Sequence, residues 1–531
     1  MRKKLLVFGS ILMLIGSYIM IGRLQESNFT LFNTVSASKI EQISMQMEEA
    51  ERLPFTALLC NEIRVPLDDA SKTFYVPLDM ESERWEKMEF VSAQAEYRVF
   101  FEENVTQYDK KEAIANNQKF PIIVYDETSW ATYYVVFTGL PIIDLSTEEG
   151  FMLEEIWGSA TFYDTDFVLH GTMTSEYNGH IRGNTSRMFP KKGYKMNLTM
   201  KDAKGEDVQN KESLFGMRKD DDWILYALYN DDTKIRDALS IAVWDEFGAV
   251  VEGQSEKSYY GPRITYVELF ADNAYHGLYA LMEPVDAKQL DLSEEDYLYK
   301  RKNSGGVQYD TFLAATNPYD IVNGFEIKDG IMDEDAWEAM AELAWALHVP
   351  DDEFEEEILN IMDLDSAMRM WLFIQIITGH DQTAKNVFYV ARATEDGYRF
   401  TFAPWDMDLT WGNVSVGEVN PHYTEFEYDT VDNKVLWKTA SRLMDDNVLG
   451  MRDEMQKLYS SLRKDVISDE AIEEKIESLD HLVRNSGAYT RDEIRWPDAA
   501  HTESTELITK YALERLAFLD KALYNFSSFD D

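Results

Sequence analysis

The chain has 531 residues, with 51 Lys+Arg against 97 Asp+Glu and a formal net charge of −46. So acidic a balance opposes binding to nucleic acid or anionic lipid; it suits a basic protein substrate or a salty, divalent-rich exterior, or else serves solubility alone. With 45% hydrophobic and 13% aromatic residues, the sequence is too apolar for a disordered acidic tail.

Arg2, Lys3 and Lys4 precede an uncharged apolar run from Leu5 to Gly22. That order predicts a signal anchor or transmembrane helix over 1–22, with the bulk of the chain outside the cytoplasm. Secretion after signal cleavage is the alternative. Residues 23–52 read as a polar linker with an amphipathic helix from Lys39 to Met47. Cys60 is the single cysteine, so no intramolecular disulfide is available, and the thiol reads as a small buried apolar group.

Residues 53–150 carry strand patterns at Thr73–Val76, Ala95–Phe101, Pro121–Tyr125 and Tyr133–Phe137, which predict a β-rich N-terminal domain. Residues 151–330 mix strands and helices. The stretch His180 to Leu198, HIRGNTSRMFPKKGYKMNL, is the most basic part of an acidic chain. It runs from a glycine-containing polar loop, Arg182 to Arg187, into an alternating strand around Lys195. Backbone N–H groups and short hydroxyls in such a loop wrap phosphate oxygens, and the lysine supplies a point charge. Arg182 and Arg187 also fit structural ion pairs. Ile235 to Phe247 has helical spacing. Ile264–Phe270 and Gly277–Met282 read as paired strands that stop at Glu283-Pro284.

Residues 331–531 are mainly helical by their apolar spacing, at Asp333–Leu347, Met368–Thr378, Lys434–Met444, Met451–Leu462 and Leu507–Leu523. Between these helices lies a second concentration of chemistry. Gly379-His380-Asp381 leads to Asn386; Val387 to Arg392 alternates as a strand; Glu395-Asp396-Gly397 turns; and Tyr398 to Trp405 returns to Asp406 and Asp408. If Thr394 pairs with Gly397, Asn386 faces Trp405. If Glu395 pairs with Tyr398, it faces Met407. Either register brings Asp406 beside Asn386, with Asp381 just upstream. Oxygen donors so gathered suit Mg²⁺ or Mn²⁺. Trp223, Trp371 and Trp411 read as core.

The order of Asp381, Asn386, hairpin and Asp406 resembles the catalytic machinery of protein kinases, and the upstream lysine strand, helix and hairpin ending at Glu283 resemble a kinase small lobe. Taken together, Arg182-Gly183-Asn184-Thr185-Ser186-Arg187 with Pro190-Lys191-Lys192-Gly193-Tyr194-Lys195, Tyr275-His276-Gly277-Leu278-Tyr279 with Glu283, Asp381 to Asn386, and Ala403 to Leu409 with Gly412 resemble the CotH family. Its members are regarded as atypical protein kinases of secreted or surface proteins.

The resemblance implies an α+β, atypical protein-kinase-like two-lobe fold. It would consist of a β-rich small lobe (151–330) and a helical large lobe (331–531), preceded by the β-rich region and the membrane helix. It implies ATP and Mg²⁺ or Mn²⁺ as cofactors. Lys195 would hold nucleotide phosphates, Arg182, Asn184 and Ser186 would line the phosphate loop, and Glu283 would lie near the hinge. Asp381 would orient and deprotonate the acceptor hydroxyl. Asn386, Asp406 and Asp408 would bind metal, with the choice between the two aspartates left open. Asp237, Glu246 and Glu326 are the candidate partners for Lys195. The implied activity is phosphoryl transfer to Ser/Thr of an exported or surface protein, basic and Ser/Thr-rich. The alternative is a non-catalytic cell-surface or spore-coat assembly or adhesion protein of the same fold.

Overall fold

The structure is a computed structural model describing residues 32–247, 261–303, 307–413 and 437–523. The apolar run at 1–22 lies outside them, and so does the expectation of a membrane helix there. Among the described residues no helix is long and apolar enough to cross a membrane. The architecture is mixed α+β, β-rich towards the N-terminus and helical towards the C-terminus.

The chain divides into two compact units. The first holds the described residues up to Pro141 together with Tyr163–Met173 and Asn273–Tyr275. It contains a six-stranded and a three-stranded sheet. The predicted strands recur as Thr73–Pro77, Arg98–Phe101, Phe120–Tyr125 and Ser129–Thr138. Phe90 and Phe101, from different sheets, meet edge-on with ring centroids 5.1 Å apart. The expected linker is part of this unit from residue 32 onward. Helix Ala37–Gln46 buries Ile43 against Phe100 and Ile123 because its apolar residues share one face. Cys60 is fully buried, and burial pushes its thiol up to about 12, so it packs as a small apolar group.

The second unit begins at Ile142 rather than at residue 151. Strand Ile142–Thr147 pairs in parallel with Arg263–Ala271, so it belongs to this unit's sheet. That sheet has eight strands. Met173–Ile181 pairs both with its neighbour Glu155–Tyr163 and with Tyr194–Lys201, which closes seven of the strands into a ring. Closure removes exposed strand edges and fixes the lysine strand between two partners.

Helices follow, largely where the apolar spacing predicts: Glu338–His348, Leu364–Ile377, Met451–Leu462 and Glu506–Ala522. Four other described α-helices of this half were not read from the sequence: Asp351–Ile361, His380–Ala384, Asp469–Asn485 and Ala488–Arg495. Leu364–Ile377 is held at its start by Asp363, whose carboxylate accepts from the Ser366 N–H at 2.8 Å. It ends where Thr378 adopts left-handed backbone, φ 52°. Eleven of its residues are buried, each large apolar one contributing about 1.5–3 kcal/mol. This anchored helix delivers Gly379-His380-Asp381 to the site. Trp223, Trp371 and Trp411 are core, as expected.

Helix Ala488–Arg495 carries Asp492, which is fully buried. Its carboxylate accepts from Lys191 Nζ at 2.6 Å and from the Leu278 N–H at 2.9 Å, with Lys234 Nζ 3.8 Å away. Gly277 makes this possible. Its φ is +108°, and a Cβ there would lie 2.4 Å from Asp492 Oδ1.

The neighbouring His276 is 7% exposed and meets the Phe151 ring at 4.5 Å. Burial, then the Arg495 charge, push its imidazole down to about 4 from the ordinary 6.5. The folded state therefore stays neutral while the unfolded chain takes up a proton near 6.5. Stability is complete above that pH and is lost as pH falls towards 4, by about 1.4 kcal/mol per unit. The difference in urea midpoint between wild type and His276→Gln should shrink as pH falls from 7 to 4.5. A constant difference would contradict this.

Candidate functional site

The hairpin forms as Val387–Thr394 and Gly397–Pro404, with Thr394 opposite Gly397 and Val387 opposite Pro404. This is the first of the two registers. Asn386 therefore faces Trp405, whose N–H donates to the Asn386 carbonyl at 3.0 Å. Asn386 and Asp406 both take left-handed backbone, φ 59° and 56°. Asn and Asp tolerate that conformation better than other non-glycine residues, and here it falls just beyond the paired ends of the two strands. Gln382, fully buried, ties down the second strand's end by donating at 2.9 Å to the carbonyls of both Trp405 and Asp406.

Helix Arg236–Glu246 supports this acidic loop from below. The Met407 N–H donates to Asp237 Oδ1 at 2.8 Å, and Trp411 Nε1 donates to Ser240 Oγ at 2.9 Å. Arg236 is fully buried, pairs with Asp231 and Asp232, and donates through Nε to the Thr410 carbonyl at 3.2 Å.

Two adjoining cavities use these parts. A cleft of about 460 Å³ is lined by Lys195, Asp222, Pro284 to Lys288, Lys300, Phe388 and Trp405, among others. A smaller one of about 80 Å³ brings Asn184 and Ser186 of the polar loop together with Asp381, Lys385, Asp406 and Asp408. Arg182 lines both. The basic and acidic stretches, some two hundred residues apart in sequence, thus line two cavities that have Arg182 in common.

The polar loop depends on Gly183. Its φ is +97°, and a Cβ there would lie 1.9 Å from Ser186 Oγ. Of the basic residues nearby, Arg187 pairs with Glu154, Lys191 is buried on Asp492, and Lys192 donates to the Arg187 carbonyl at 2.6 Å. These are structural roles. Lys195 reaches the cleft because Tyr194, Met196 and Leu198 on its strand face the core.

The partner of Lys195 is none of the three acids considered from the sequence. It is Asp222 on the neighbouring strand, at 2.9 Å. Glu326 pairs with Lys302 and Lys328, Glu246 pairs with Lys475, and Asp237 lies under the acidic loop. Two further expectations differ. Glu283 lines neither cavity; it is buried and accepts from the Arg218 N–H at 2.8 Å, while Pro284 to Lys288 immediately after it line the cleft. Asn386 is also buried behind the cavity wall, its amide 3.4 Å from Asp381 Oδ2 and 3.5 Å from the Asp406 carbonyl.

Asp381, in the first turn of His380–Ala384, sits 2.9 Å from Lys385 Nζ. Burial raises its carboxyl above the usual range against the pull of Lys385, and Asp406 raises it further. Asp408 accepts from Asn230 Nδ2 at 2.9 Å; burial, then Asp406, push it up to about 7. Burial and the charges of Asp408 and Asp406 raise Asp237 well above its ordinary value. Among the described residues no three His, Cys, Asp or Glu side chains are placed to hold a metal ion by themselves. Asp406 and Asp408 still fit a small hard cation, because Mg²⁺ is commonly held by one or two carboxylates together with substrate phosphates.

A family model described as CotH kinase protein matches residues 180–519. The chain belongs to the CotH family. The match begins within the strand that leads into the polar loop and spans every residue named for the site; the N-terminal unit up to Pro141 precedes it. No curated protein matches. The CotH assignment thus rests on the segment that builds the two cavities. Gln382, Lys385, Asp222 and Lys300 are cavity or supporting residues that sequence reasoning missed, and Asp237, considered as a partner for Lys195, supports the acidic loop instead. For Lys385 the spacing to Asp381, one helical turn, is the signal that would have found it.

Proposed function

We propose that this CotH-family protein is an atypical kinase that transfers the γ-phosphoryl group of ATP to Ser or Thr hydroxyls of exported or surface proteins. The observation that carries the reading is the shared site, in which Arg182 lines both the cleft suited to a nucleotide and the cavity holding Asp381, Asp406 and Asp408. A volume of about 460 Å³ is within the range of small-molecule sites.

In the proposed step the acceptor oxygen forms a bond to the γ-phosphorus while the bond from that phosphorus to the β–γ bridging oxygen breaks. ADP leaves with the electron pair, and the hydroxyl proton passes to the Asp381 carboxylate. The raised proton affinity of Asp381 suits a base that must accept this proton. Lys385, 2.9 Å from Asp381, keeps it ionised beforehand and offers charge to the moving phosphoryl group. Asp406 and Asp408 are the residues that would hold a divalent cation, which when bound neutralises phosphate oxygens. The chain's acidity favours a basic acceptor.

The test is incubation of the full chain with γ-labelled ATP, Mg²⁺ or Mn²⁺ and a basic Ser/Thr-rich protein. Label on serine or threonine is the expected result. No label on the acceptor or on the chain itself, with either metal, would remove the catalytic reading and leave a surface-assembly role for the fold.

A further inference from the structure

Five basic side chains line the larger cleft: Arg182, Lys195, Lys288, Lys300 and Lys328. Three have carboxylate partners. Lys195 lies 2.9 Å from Asp222, Lys288 lies 2.6 Å from Asp220, and Lys328 lies 3.4 Å from Glu326. Arg182 and Lys300 make no ion pair or side-chain hydrogen bond among the described residues. Within the cleft these two are the exceptions, since each of the other three cations has an acid.

Both exceptions lie against one ring. The Arg182 guanidinium is 5.5 Å from the Trp405 ring centroid and the Lys300 ammonium 5.4 Å. Lys300 is also 5.5 Å from the Phe388 ring. The register explains the position: on strand Tyr297–Arg301, Lys300 stands between Phe388 on one neighbouring strand and Glu326 on the other. Glu326 is already taken by Lys302 at 2.8 Å and by Lys328. Trp405 directly precedes Asp406, which lines the acidic cavity together with Arg182.

Burial pushes the Lys300 ammonium down to about 8, and the Arg182 charge lowers it further while Asp406 opposes the shift. Two like charges facing a desolvated cleft raise the energy of the empty site, and a multiply charged anion between them lowers it. The aromatic floor offers a cation–π contact but no counter-charge.

We infer that Lys300 and Arg182, astride Trp405, are the cations that anchor the phosphate chain of a nucleoside triphosphate. This rests on the nucleotide reading of the cleft and adds to it a residue outside the polar loop and the lysine strand. Lys195, tied to Asp222, has the lesser share of that anchoring.

The test is calorimetric titration of the full chain with MgATP, adenosine and magnesium tripolyphosphate. It would compare wild type with Lys300→Met, Lys300→Arg and Lys195→Met. Loss of a charge-assisted contact is expected to weaken MgATP and tripolyphosphate binding by about 10- to 100-fold in Lys300→Met. Adenosine affinity should stay unchanged. Lys300→Arg should restore most of the lost affinity, which a folding defect would not allow, and Lys195→Met should lose less than Lys300→Met. Equal MgATP affinity in wild type and Lys300→Met, or a parallel loss of adenosine, would overturn the assignment while leaving ATP binding intact. A wild-type chain that binds no MgATP would instead take down the nucleotide reading itself.

Discussion

Asp381→Asn should abolish phosphoryl transfer while leaving the nucleotide in place. The amide keeps the size of the side chain but cannot take the acceptor proton. It also loses the charge that holds Lys385 at 2.9 Å. General-base contributions of this kind are worth about a hundred- to ten-thousand-fold in rate. MgATP affinity, set by the adjoining cleft, should stay within a few fold of wild type. Single-turnover transfer of label and calorimetric titration together separate these quantities. Transfer within threefold of wild type would show that Asp381 takes no proton. A large loss of affinity accompanying the loss of rate would place Asp381 in nucleotide binding instead.

Asp492→Ala should be the most damaging single change to stability. The carboxylate is fully buried among Lys191, Lys234 and the Leu278 N–H. The lysines hold it well below the usual carboxylate range despite burial. Removing it deprives two fully buried ammonium groups of the carboxylate they share, although Asp231 and Asp232 still act on Lys234 and backbone carbonyls of Leu278, Leu228 and Ala500 still accept from the two lysines. Orphaning one side of a buried pair costs about 3–5 kcal/mol. The consequence reaches function because Lys191 lies in the Pro-Lys-Lys run between the polar loop and the lysine strand. A urea-unfolding series at pH 7 measures the effect. A loss below about 1 kcal/mol, the range of an exposed ion pair, would mean that the network is hydrated.

The hairpin and its flanking acids were legible in the sequence because two constraints coincide there. Strand alternation from Val387 to Arg392 and a turn at Glu395-Asp396-Gly397 leave only two registers, and both set Asp406 beside Asn386. The polar loop was legible through its composition, with Gly183 meeting a backbone requirement that no other residue satisfies easily. Lys300 was not legible. Tyr297-Leu298-Tyr299-Lys300-Arg301 has the alternation of any strand with one solvated face, and nothing local says that Phe388 and Trp405 cover that face. Asp222 escaped for the same reason and Asp237 was given another role, since both roles come from strand and helix packing across long sequence distances. Glu283 was overread: the proline after it marks the end of the strand, but its side chain turns inward to Arg218. The unit boundary fell at residue 142 because parallel pairing of Ile142–Thr147 with Arg263–Ala271 has no local signature.

In the proposed complex one triphosphate lies across both cavities. A crystal structure of the full chain with Mg²⁺ and a non-hydrolysable ATP analogue tests it most directly. The expected result is the base in the cleft bounded by Pro284 to Lys288, phosphates between Arg182 and Lys300, and the γ-phosphate facing Asp381 with the ion on Asp406 or Asp408. An analogue bound elsewhere, or one whose phosphates point away from the acidic cavity, would contradict it.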